Sequence, residues 1–341
     1  MPVSLVTGGA GFIGTHVVNH LIEAGHRVVV LDDLSGGFRD NVPAAATFVE
    51  GSIVDGALVE ATFREHRFDY VYHLAAYAAE GLSHFIRRFN YTNNVVGTMT
   101  VLNESITHRV KCFVFTSSIA VYGSLPPPMT EEMHPRPEDP YGIAKFAVEQ
   151  DLHAAHDMFG TNFIIFRPHN VYGEYQNIGD RYRNVIGIFM NQLMRGEPLS
   201  VFGDGTQQRA FSYVGDVAPV IANAVHVERA YNQTFNIGAD QGYTINDLAR
   251  NVMEAMGIEG TIRHLPARLE VLHATSDHTK LLNTFGSRAS TPLDAGLRRM
   301  ASWVKQAGPK TTKRFEAIEV RDRLPAVWLE EPSGGGQRIT E

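Results

Sequence analysis

A tyrosine and a lysine four positions apart, Tyr141 and Lys145, are the side chains of this sequence with the clearest chemical potential. Residues at this spacing share one face of a helix. An ammonium group beside a phenol favours the phenolate, so the pair predicts a tyrosine whose pKa is lowered from about 10 and which acts as a base near neutral pH. The same spacing also arises in ordinary surface pairs, and for these two residues alone that alternative stays open.

Two serines, Ser117 and Ser118, follow the apolar run 112–115 and precede Tyr141 by about two dozen residues. A hydroxyl at the end of a strand can relay or orient the proton that a tyrosine base removes. A serine in this place is also typical of a turn or helix cap, and for Ser117 the cap is the favoured interpretation. Ser118 is therefore the better candidate for the chemistry.

Three glycines near the start of the chain, Gly8, Gly11 and Gly14, separate the apolar run 3–6 from a helical pattern that begins at Phe12. Strand, glycine turn and helix in this order predict a dinucleotide-binding turn. The first glycine permits the tight turn, the second lets the backbone approach a diphosphate, and the third lets the helix pack closely on the strand. The N–H groups at the start of the helix then face the phosphates. A glycine-rich turn in any other α/β protein is the structural alternative.

An acidic residue, Asp32, ends the second apolar run, 28–31, and lies 24 residues after Gly8. A carboxylate near this position binds the adenosine ribose of a dinucleotide. It would repel the extra phosphate of NADP, so NAD is the predicted cofactor. Asp33 is the neighbouring candidate for the same role, and a helix or turn cap is the structural alternative for Asp32.

The elements that would position these residues alternate along the first half of the chain. The apolar runs predict strands at 3–7, 27–32, 47–50, 69–74, 111–117 and 162–167. The helical patterns between them include 12–25, 56–66, 91–108 and 142–159. This alternation predicts an α/β fold with a doubly wound parallel sheet of the Rossmann type. Ligands of such sheets bind at the carboxyl ends of the strands, where the glycine turn, Asp32 and both serines lie.

The pattern changes after residue 170, where polar, glycine-bearing and aromatic residues dominate. One helix is predicted to begin at Thr244, which would act as its N-cap. The elements predicted in this half are helices at 185–195 and 244–256 and short strands near 199–202 and 235–238.

Two domains follow from this change of pattern. We interpret residues 1–170 and 205–240 as an NAD-binding domain, and residues 171–204 and 241–330 as a smaller α/β lobe that binds the substrate. The tail 331–341 is polar and rich in glycine and serine, so it is expected to be flexible.

Composition limits the partners and the compartment. The formal net charge is −7 and no basic stripe is visible, so nucleic acid is not an expected partner. Cys112 is the single cysteine, which fits a reduced, cytoplasmic setting. No apolar stretch is long enough to cross a bilayer and no signal-peptide pattern is visible, so no membrane association is expected. We assign no residues to a metal.

Together, several motifs resemble those of the extended short-chain dehydrogenase/reductases, and among them the nucleotide-sugar epimerase/dehydratase family. The chain is most similar to epimerases of the UDP-glucose 4-epimerase type, and the resemblance covers roughly residues 3–305. The motifs that carry it are TGGAGFIG at 7–14, Asp32, HLAA at 73–76, NVVGT at 94–98, TSSIAVYG at 116–123 and YGIAK at 141–145.

The resemblance implies NAD as the cofactor and a UDP-sugar as the substrate. Tyr141 would be the base, Lys145 would tune it and bind the nicotinamide ribose, and Ser118 would bridge Tyr141 to the sugar hydroxyl. The residues it assigns to NAD are Gly8, Gly11, Phe12, Ile13, Gly14, Asp32, Ser52, Ile53, Leu74, Ala75, Ala76, Asn94, Ser117, Tyr141, Lys145 and Pro168. Those it assigns to the substrate are Glu80, Ser118, Tyr141, Asn170, Arg209 and Arg268, with Asn170 and the two arginines on the diphosphate.

Two positions indicate which reaction of the family to expect. In the dehydratases of the family, an Asp-Glu pair follows the serine or threonine. Here those positions hold Ile119 and Ala120, which cannot donate or accept a proton. The expected activity is therefore that of an isomerase, an NAD-dependent UDP-hexose 4-epimerase with a transient 4-keto intermediate. Two alternatives stay open: a dehydratase that recruits Glu80 or His169, and a non-catalytic NAD-binding regulator. The family also implies a homodimer through the helices near 91–108 and 142–159.

Overall fold

The computed structural model describes residues 1–268, 271, 273–286, 290–311 and 315–329. Within them the strands are β1 (Val3–Thr7), β2 (Arg27–Asp32), β3 (Thr47–Glu50), β4 (Tyr70–His73), β5 (Cys112–Thr116), β6 (Phe163–Pro168), β7 (Val171–Tyr172), β8 (Leu199–Phe202), β9 (Gln208–Ala210), β10 (Ser212–Tyr213), β11 (Gln233–Ile237), β12 (Gly242–Thr244), β13 (Ile262–Leu265) and β14 (His273–Ala274).

A parallel sheet of seven strands forms the centre of the described chain, in the order β11-β6-β5-β4-β1-β2-β3. All six strands predicted in the first half are in it, within two residues of the predicted bounds. The strand order reverses between β1 and β4, which places the carboxyl ends of both strands beside one crevice. The doubly wound α/β fold is confirmed.

The strands are apolar throughout because helices cover both faces of the sheet. Neighbouring residues on one strand enter different clusters: Val6 and Val114 pack in one, while Leu5 and Phe113 pack in the other. All four are fully buried. A sheet with one face in water would alternate apolar and polar residues instead.

The helices lie mainly between consecutive strands. They are α1 (Phe12–Glu23), α2 (Gly56–His66), α3 (Glu80–Ser83), α4 (Arg87–Tyr91), α5 (Gly97–Thr107), α6 (Pro140–Phe159), α7 (Val185–Met194), α8 (Val214–Asn223), α9 (Ile245–Met256), α10 (Thr279–Phe285) and α11 (Leu293–Ala307). None of the helices in the described ranges has the length and apolar character needed to cross a membrane.

The helix predicted as one piece at 91–108 is divided, and that prediction is wrong in detail. It begins earlier, at Arg87, and a π-helical turn at Thr92–Val96 separates α4 from α5. The Asn94 amide inside this turn donates to the Asn90 side chain, whose own amide donates to the Pro140 carbonyl. Sequence periodicity does not reveal a π-helical turn of this kind, because it changes the helix over only a few residues.

The second half contributes one strand, β11, to the large sheet and otherwise forms small sheets: β7 with β10, β8 with β13, and β9 with β12 and β14. Thr244 caps α9, as predicted, because its hydroxyl accepts the Asp247 N–H at 3.0 Å and donates to the Asp247 carboxylate at 2.6 Å. The division into two domains stays a prediction, and the predicted tail 331–341 lies outside the described residues.

Candidate functional site

A cavity of about 550 Å³ opens at the carboxyl ends of the central strands. Most of the residues predicted from the sequence to form the site line it together, although they come from well-separated parts of the chain. They are Gly8, Gly11, Phe12, Ile13, Gly14, Asp32, Ile53, Leu74, Ala75, Ala76, Glu80, Ser117, Ser118, Tyr141, Lys145, Pro168, Asn170, Arg209 and Arg268.

The glycine turn between β1 and α1 leaves no room for side chains. A Cβ on Gly8 would lie 2.6 Å from the backbone nitrogen of Ala75, and a Cβ on Gly14 would overlap the Gly8 carbonyl oxygen. Gly8 also has a φ of 72°, a conformation that favours glycine. No side chain caps the start of α1 at Gly11, so the first N–H groups of the helix face the cavity unshielded. Such a cradle fits a dinucleotide diphosphate.

Asp32 is held more firmly than its neighbour. Its carboxylate accepts the Ala10 N–H at 3.0 Å and the Leu34 N–H at 2.8 Å. Burial raises its pKa, and these donors oppose the shift. Asp33 lines the cavity too but is exposed and accepts from the Ser35 N–H. Asp32 therefore caps the turn and presents an ordered carboxylate to the cavity at the same time.

The predicted tyrosine–lysine pair lies on the first turns of α6. The helix begins where Asp139 accepts the Gly142 N–H at 2.9 Å. Tyr141 and Lys145 are both buried, and the Lys145 ammonium nitrogen lies 5.8 Å from the centre of the tyrosine ring. That nitrogen donates to the Thr116 carbonyl at 2.7 Å, which ties α6 to the end of β5. Ser118, which follows β5, lines the same cavity close enough to Tyr141 to influence the pKa of its phenol.

The pKa values of this pair differ from the sequence expectation. Burial raises the pKa of Tyr141 well above its ordinary value, and the neighbouring Ser118 hydroxyl opposes the shift. Burial also lowers the pKa of Lys145 to about 7, against the raising effect of Glu149. The expected lowering of the phenol pKa is therefore wrong, because burial outweighs the groups that favour the phenolate.

Ser117 lines the cavity, but its hydroxyl is turned to a buried ion pair. It donates to Glu149, which also accepts from the Arg167 guanidinium through both oxygens. Arg167 donates in turn to the Tyr122 hydroxyl at 2.7 Å. This network joins β5, α6 and β6. The predicted cap at Ser117 is therefore wrong: the hydroxyl that caps the turn after β5 is that of Ser118, which accepts the Ala120 N–H at 3.1 Å.

Two residues predicted to bind the cofactor, Ser52 and Asn94, lie outside the lining. The Asn94 side chain accepts the Tyr77 N–H at 2.8 Å and donates to the Tyr77 carbonyl at 3.1 Å. It therefore fixes the loop after β4, which does line the cavity. The Ser52 hydroxyl accepts the Val54 N–H at 3.3 Å.

The three residues predicted to bind the substrate diphosphate line the cavity and come from the second half of the chain. Asn170 donates from its amide to the Ala210 carbonyl at 3.0 Å. Arg209 donates to the Gln208 carbonyl at 2.8 Å and to the Val271 carbonyl, and the Arg268 guanidinium lies 4.5 Å from the centre of the Phe202 ring. The two guanidinium groups thus face one cavity from different parts of the chain.

His169 also lines the cavity, next to His278. Their Nε2 atoms are 3.1 Å apart and their rings are stacked. Burial lowers the pKa of His169 to about 3, with a further lowering contribution from the neighbouring His278. His169 is therefore neutral near pH 7 and is a poor proton donor for a dehydration.

Sequence reasoning missed the residues that cover the cavity from the loop before α7. Arg183 lines it, paired with Asp180 and lying over the ring of Tyr77. The only sequence signal is the charged and aromatic run 180–183 in a segment without regular structure.

A second unpredicted feature is the segment 315–329, which packs behind the segment 77–89, where α3 lies and α4 begins. Glu319 accepts the backbone N–H groups of Arg88 and Phe89 at 2.7 and 2.9 Å. Trp328 is 4% exposed, and a Cβ on Gly81, a cavity residue, would lie 3.4 Å from its ring. This segment supports the cavity lining without entering it.

Within the described ranges, no cluster of three or more histidine, cysteine, aspartate or glutamate side chains is arranged to hold a metal ion.

Comparison with known proteins gives one consistent result. The model of the NAD-dependent epimerase/dehydratase family matches residues 4–238. A putative UDP-glucose 4-epimerase of Methanocaldococcus jannaschii is 34% identical over 305 residues, which are 88% of this chain and 98% of the relative.

Two solved structures match most of the chain. The UDP-glucose 4-epimerase of Thermotoga maritima with UDP-glucose is 36% identical, with a TM-score of 0.85 over 89% of this chain and 99% of that one. The UDP-glucose 4-epimerase of Thermus thermophilus in complex with NAD is 31% identical, with a TM-score of 0.82 over 88% of this chain and 98% of that one. Both matches therefore extend over nearly the whole of the solved chains.

Proposed function

The chain belongs to the NAD-dependent epimerase/dehydratase family, and from that premise we propose that it is an isomerase that inverts carbon 4 of a UDP-hexose. One observation carries the proposal: Ser118 and Tyr141 meet in the same cavity as the glycine turn, while Ile119 and Ala120 fill the two positions after the serine. The site can thus remove and return the proton of one sugar hydroxyl. Residues 119 and 120 provide no acid–base pair for an elimination.

NAD would supply the hydride acceptor for carbon 4 of the sugar and would return the hydride to the 4-keto sugar. The glycine turn and the start of α1 would hold its diphosphate, and Asp32 its adenosine ribose. The shape of this cradle supports the assignment, since a Cβ on Gly8 or Gly14 would fill it.

Tyr141 takes the proton of the carbon 4 hydroxyl, and the Ser118 hydroxyl bridges the two oxygens. Lys145 favours the phenolate by charge. A buried phenolate or a buried ammonium alone is unfavourable here, so the proton leaves Tyr141 most easily when the two opposite charges exist together. Rotation of the keto sugar and return of the proton from Tyr141 complete the inversion.

The diphosphate of the substrate would bind to Asn170, Arg209 and Arg268. Guanidinium groups match phosphate oxygens in pairs, and these two face the cavity from β9 and from the loop after β13. Glu80, at the start of α3, would face the sugar and bear on its identity.

The reaction is tested by incubating the purified chain with UDP-glucose, UDP-N-acetylglucosamine and UDP-glucuronate in deuterated water and recording the products by NMR. We expect at least one of the three to be inverted at carbon 4, with no deuterium at carbon 5. Deuterium at carbon 5 would show a dehydratase. Bound NAD without turnover of any sugar would indicate the non-catalytic regulator.

We also propose a homodimer through α5 and α6. Large apolar side chains are exposed on these two helices or directly beside them: Val96 is 53% exposed, Ile143 40% and Phe159 61%. Covering such groups with a second copy would remove apolar surface from water. Sedimentation of the wild-type chain should give twice the mass of one chain, and Val96→Glu should lower it.

The cytoplasmic location stays a prediction. Its support is Cys112, which is fully buried in β5 without a disulfide and whose pKa burial raises. A buried thiol of this kind is inert packing and is compatible with a reducing compartment.

A further inference from the structure

Arg183 is a cation that the assignments above leave unused, although it lines the same cavity. It lies in the loop before α7, far in sequence from the glycine turn. In space the two are neighbours, because a Cβ on Gly36 would lie 3.2 Å from Nη2 of Arg183. Gly36 and Gly37 follow Asp32 and rest on the turn itself: Phe38 donates to the Ala10 carbonyl at 3.1 Å.

A second contact ties the loop before α7 to the same place. The Asn177 amide donates to the Gly36 carbonyl at 3.4 Å. Both contacts bring this loop to the segment that runs beside the N-terminus of α1. The guanidinium therefore lies beside the segment 36–38, which borders the glycine turn.

The guanidinium is held in one position. Its Nε donates to the Asp180 carboxylate at 2.7 Å, and Nη2 lies 2.6 Å from the same carboxylate oxygen. The plane of the group lies over the Tyr77 ring, with Cζ 5.0 Å from the ring centre. The side chains of Arg183 and Asp180 are 14% and 11% exposed. A guanidinium fixed in this way loses little freedom when it binds a ligand.

Arg183 keeps its positive charge, and this charge acts on Tyr141, the proposed base. Burial lowers the pKa of Arg183, but the ion pair with Asp180 outweighs this and the pKa lies above its ordinary value. The positive charge also contributes to lowering the pKa of Tyr141 against the effect of burial. The Arg183 cation is thus close both to Gly36, beside the glycine turn, and to Tyr141.

We propose that Arg183 binds the diphosphate of the dinucleotide, completing from the loop before α7 the site that the glycine turn begins. The inference rests on the proposed NAD dependence. Asp180 and Tyr77 position the guanidinium, which leaves its remaining N–H donor atom, Nη1, for phosphate oxygens. Arg209 and Arg268 serve the other diphosphate in the cavity, that of the sugar nucleotide.

The test compares Arg183→Met and Arg183→Lys with the wild-type chain and with Arg195→Met. Arg195 is a matched control. It follows the end of α7, as Arg183 precedes its start, and it pairs with Glu197 but does not line the cavity. Two quantities are measured: NAD released per purified chain on denaturation, and the Kd of NAD and of UDP by calorimetry after the cofactor has been removed.

We expect Arg183→Met to weaken NAD binding about 10- to 100-fold, the loss typical of one charge-assisted hydrogen-bonding group, with UDP binding unchanged. The NAD affinity of Arg183→Lys should lie between those of Arg183→Met and the wild type, and that of Arg195→Met should equal the wild-type value. Weaker UDP binding with normal NAD binding would assign Arg183 to the sugar nucleotide and overturn the proposal, as would no change in either. If Arg183→Met does not fold, Arg183→Lys decides by the same two Kd values. A wild-type chain that binds no NAD would instead refute the proposed function.

Discussion

The cavity has a floor and a wall that are built differently. The floor consists of Gly8–Gly14, Asp32, Tyr141 and Lys145, and each part is fixed by hydrogen bonds to the backbone at the end of a strand or the start of a helix. The wall consists of the segment 77–89 and the run 180–183, and the segment 315–329 packs behind it. The wall is held largely through side chains. Arg183 lies on Tyr77, the ring of Trp328 packs against Tyr182 with 5.4 Å between centres, and Glu319 accepts the backbone N–H groups of Arg88 and Phe89.

The floor is suited to the chemical step, and the wall is suited to the choice of ligand. Floor residues sit on elements that the sheet requires, so their geometry is rigid and suited to proton transfer. Wall residues sit on loops, where the choice and orientation of a ligand can change without disturbing the sheet. Substitutions in the floor should therefore affect turnover or cofactor binding, and substitutions in the wall should affect the affinity for NAD or for the substrate more than the rate of turnover.

The largest effect is expected for Tyr141→Phe. Removing the phenol oxygen removes the base, so turnover should fall about 10²- to 10⁴-fold while bound NAD is retained. Steady-state rates and the NAD content of the purified chain measure both. Tyr231→Phe is the control, since that hydroxyl donates to the Val225 carbonyl at 2.9 Å and does not line the cavity. Loss of NAD from Tyr141→Phe would make the tyrosine structural.

A smaller effect is expected for Asp32→Ala, with Asp33→Ala as its matched neighbour. Asp32→Ala removes the ribose partner and leaves the Ala10 and Leu34 N–H groups without their acceptor, so NAD affinity should fall about 10- to 100-fold and stability should also decrease. Asp33→Ala should change NAD affinity little. Calorimetric titration of both variants distinguishes them, and the reverse order would assign the ribose to Asp33.

Lys145→Met tests the electrostatics of the floor. The folded-state pKa of about 7 lies below the ordinary value of 10.5, so between these pH values the unfolded chain binds more protons. The contribution of Lys145 to the free energy of unfolding therefore rises with pH from 7 towards 10.5. Urea unfolding at about pH 7 and pH 9.5 should show this rise in the wild type, by about 1–3 kcal/mol more than in Lys145→Met. Parallel curves for the two proteins would contradict the lowered pKa.

The smallest effect is expected in the wall, for Trp328→Ala. The ring supports Gly81 and lies near Phe202, so its removal loosens the surroundings of Arg268. The KM for the UDP-sugar should rise several-fold, while kcat and NAD content change less. Trp328→Phe should recover most of the affinity. Equal losses in kcat and NAD content would place the segment 315–329 in the support of the floor.

The floor was predictable from the sequence because its signals are local. The apolar runs predict β1 and β2 to the residue, and the glycine spacing after β1 marks a turn whatever the rest of the chain does. The contact between Arg183 and Gly36 joins residues far apart along the chain, and no local pattern encodes it. The pKa of Tyr141 was misjudged for a related reason: the spacing to Lys145 is visible in the sequence, but the burial that outweighs it is not.

In the proposed reaction, one carbon of the sugar gives up a hydride and receives the same hydride back. UDP-glucose carrying deuterium at carbon 4 is the decisive substrate, with the product analysed by NMR and mass spectrometry. We expect a 4-inverted sugar that keeps its deuterium at carbon 4, in ordinary water and with no added cofactor. An inverted product that has lost the deuterium to solvent would contradict it.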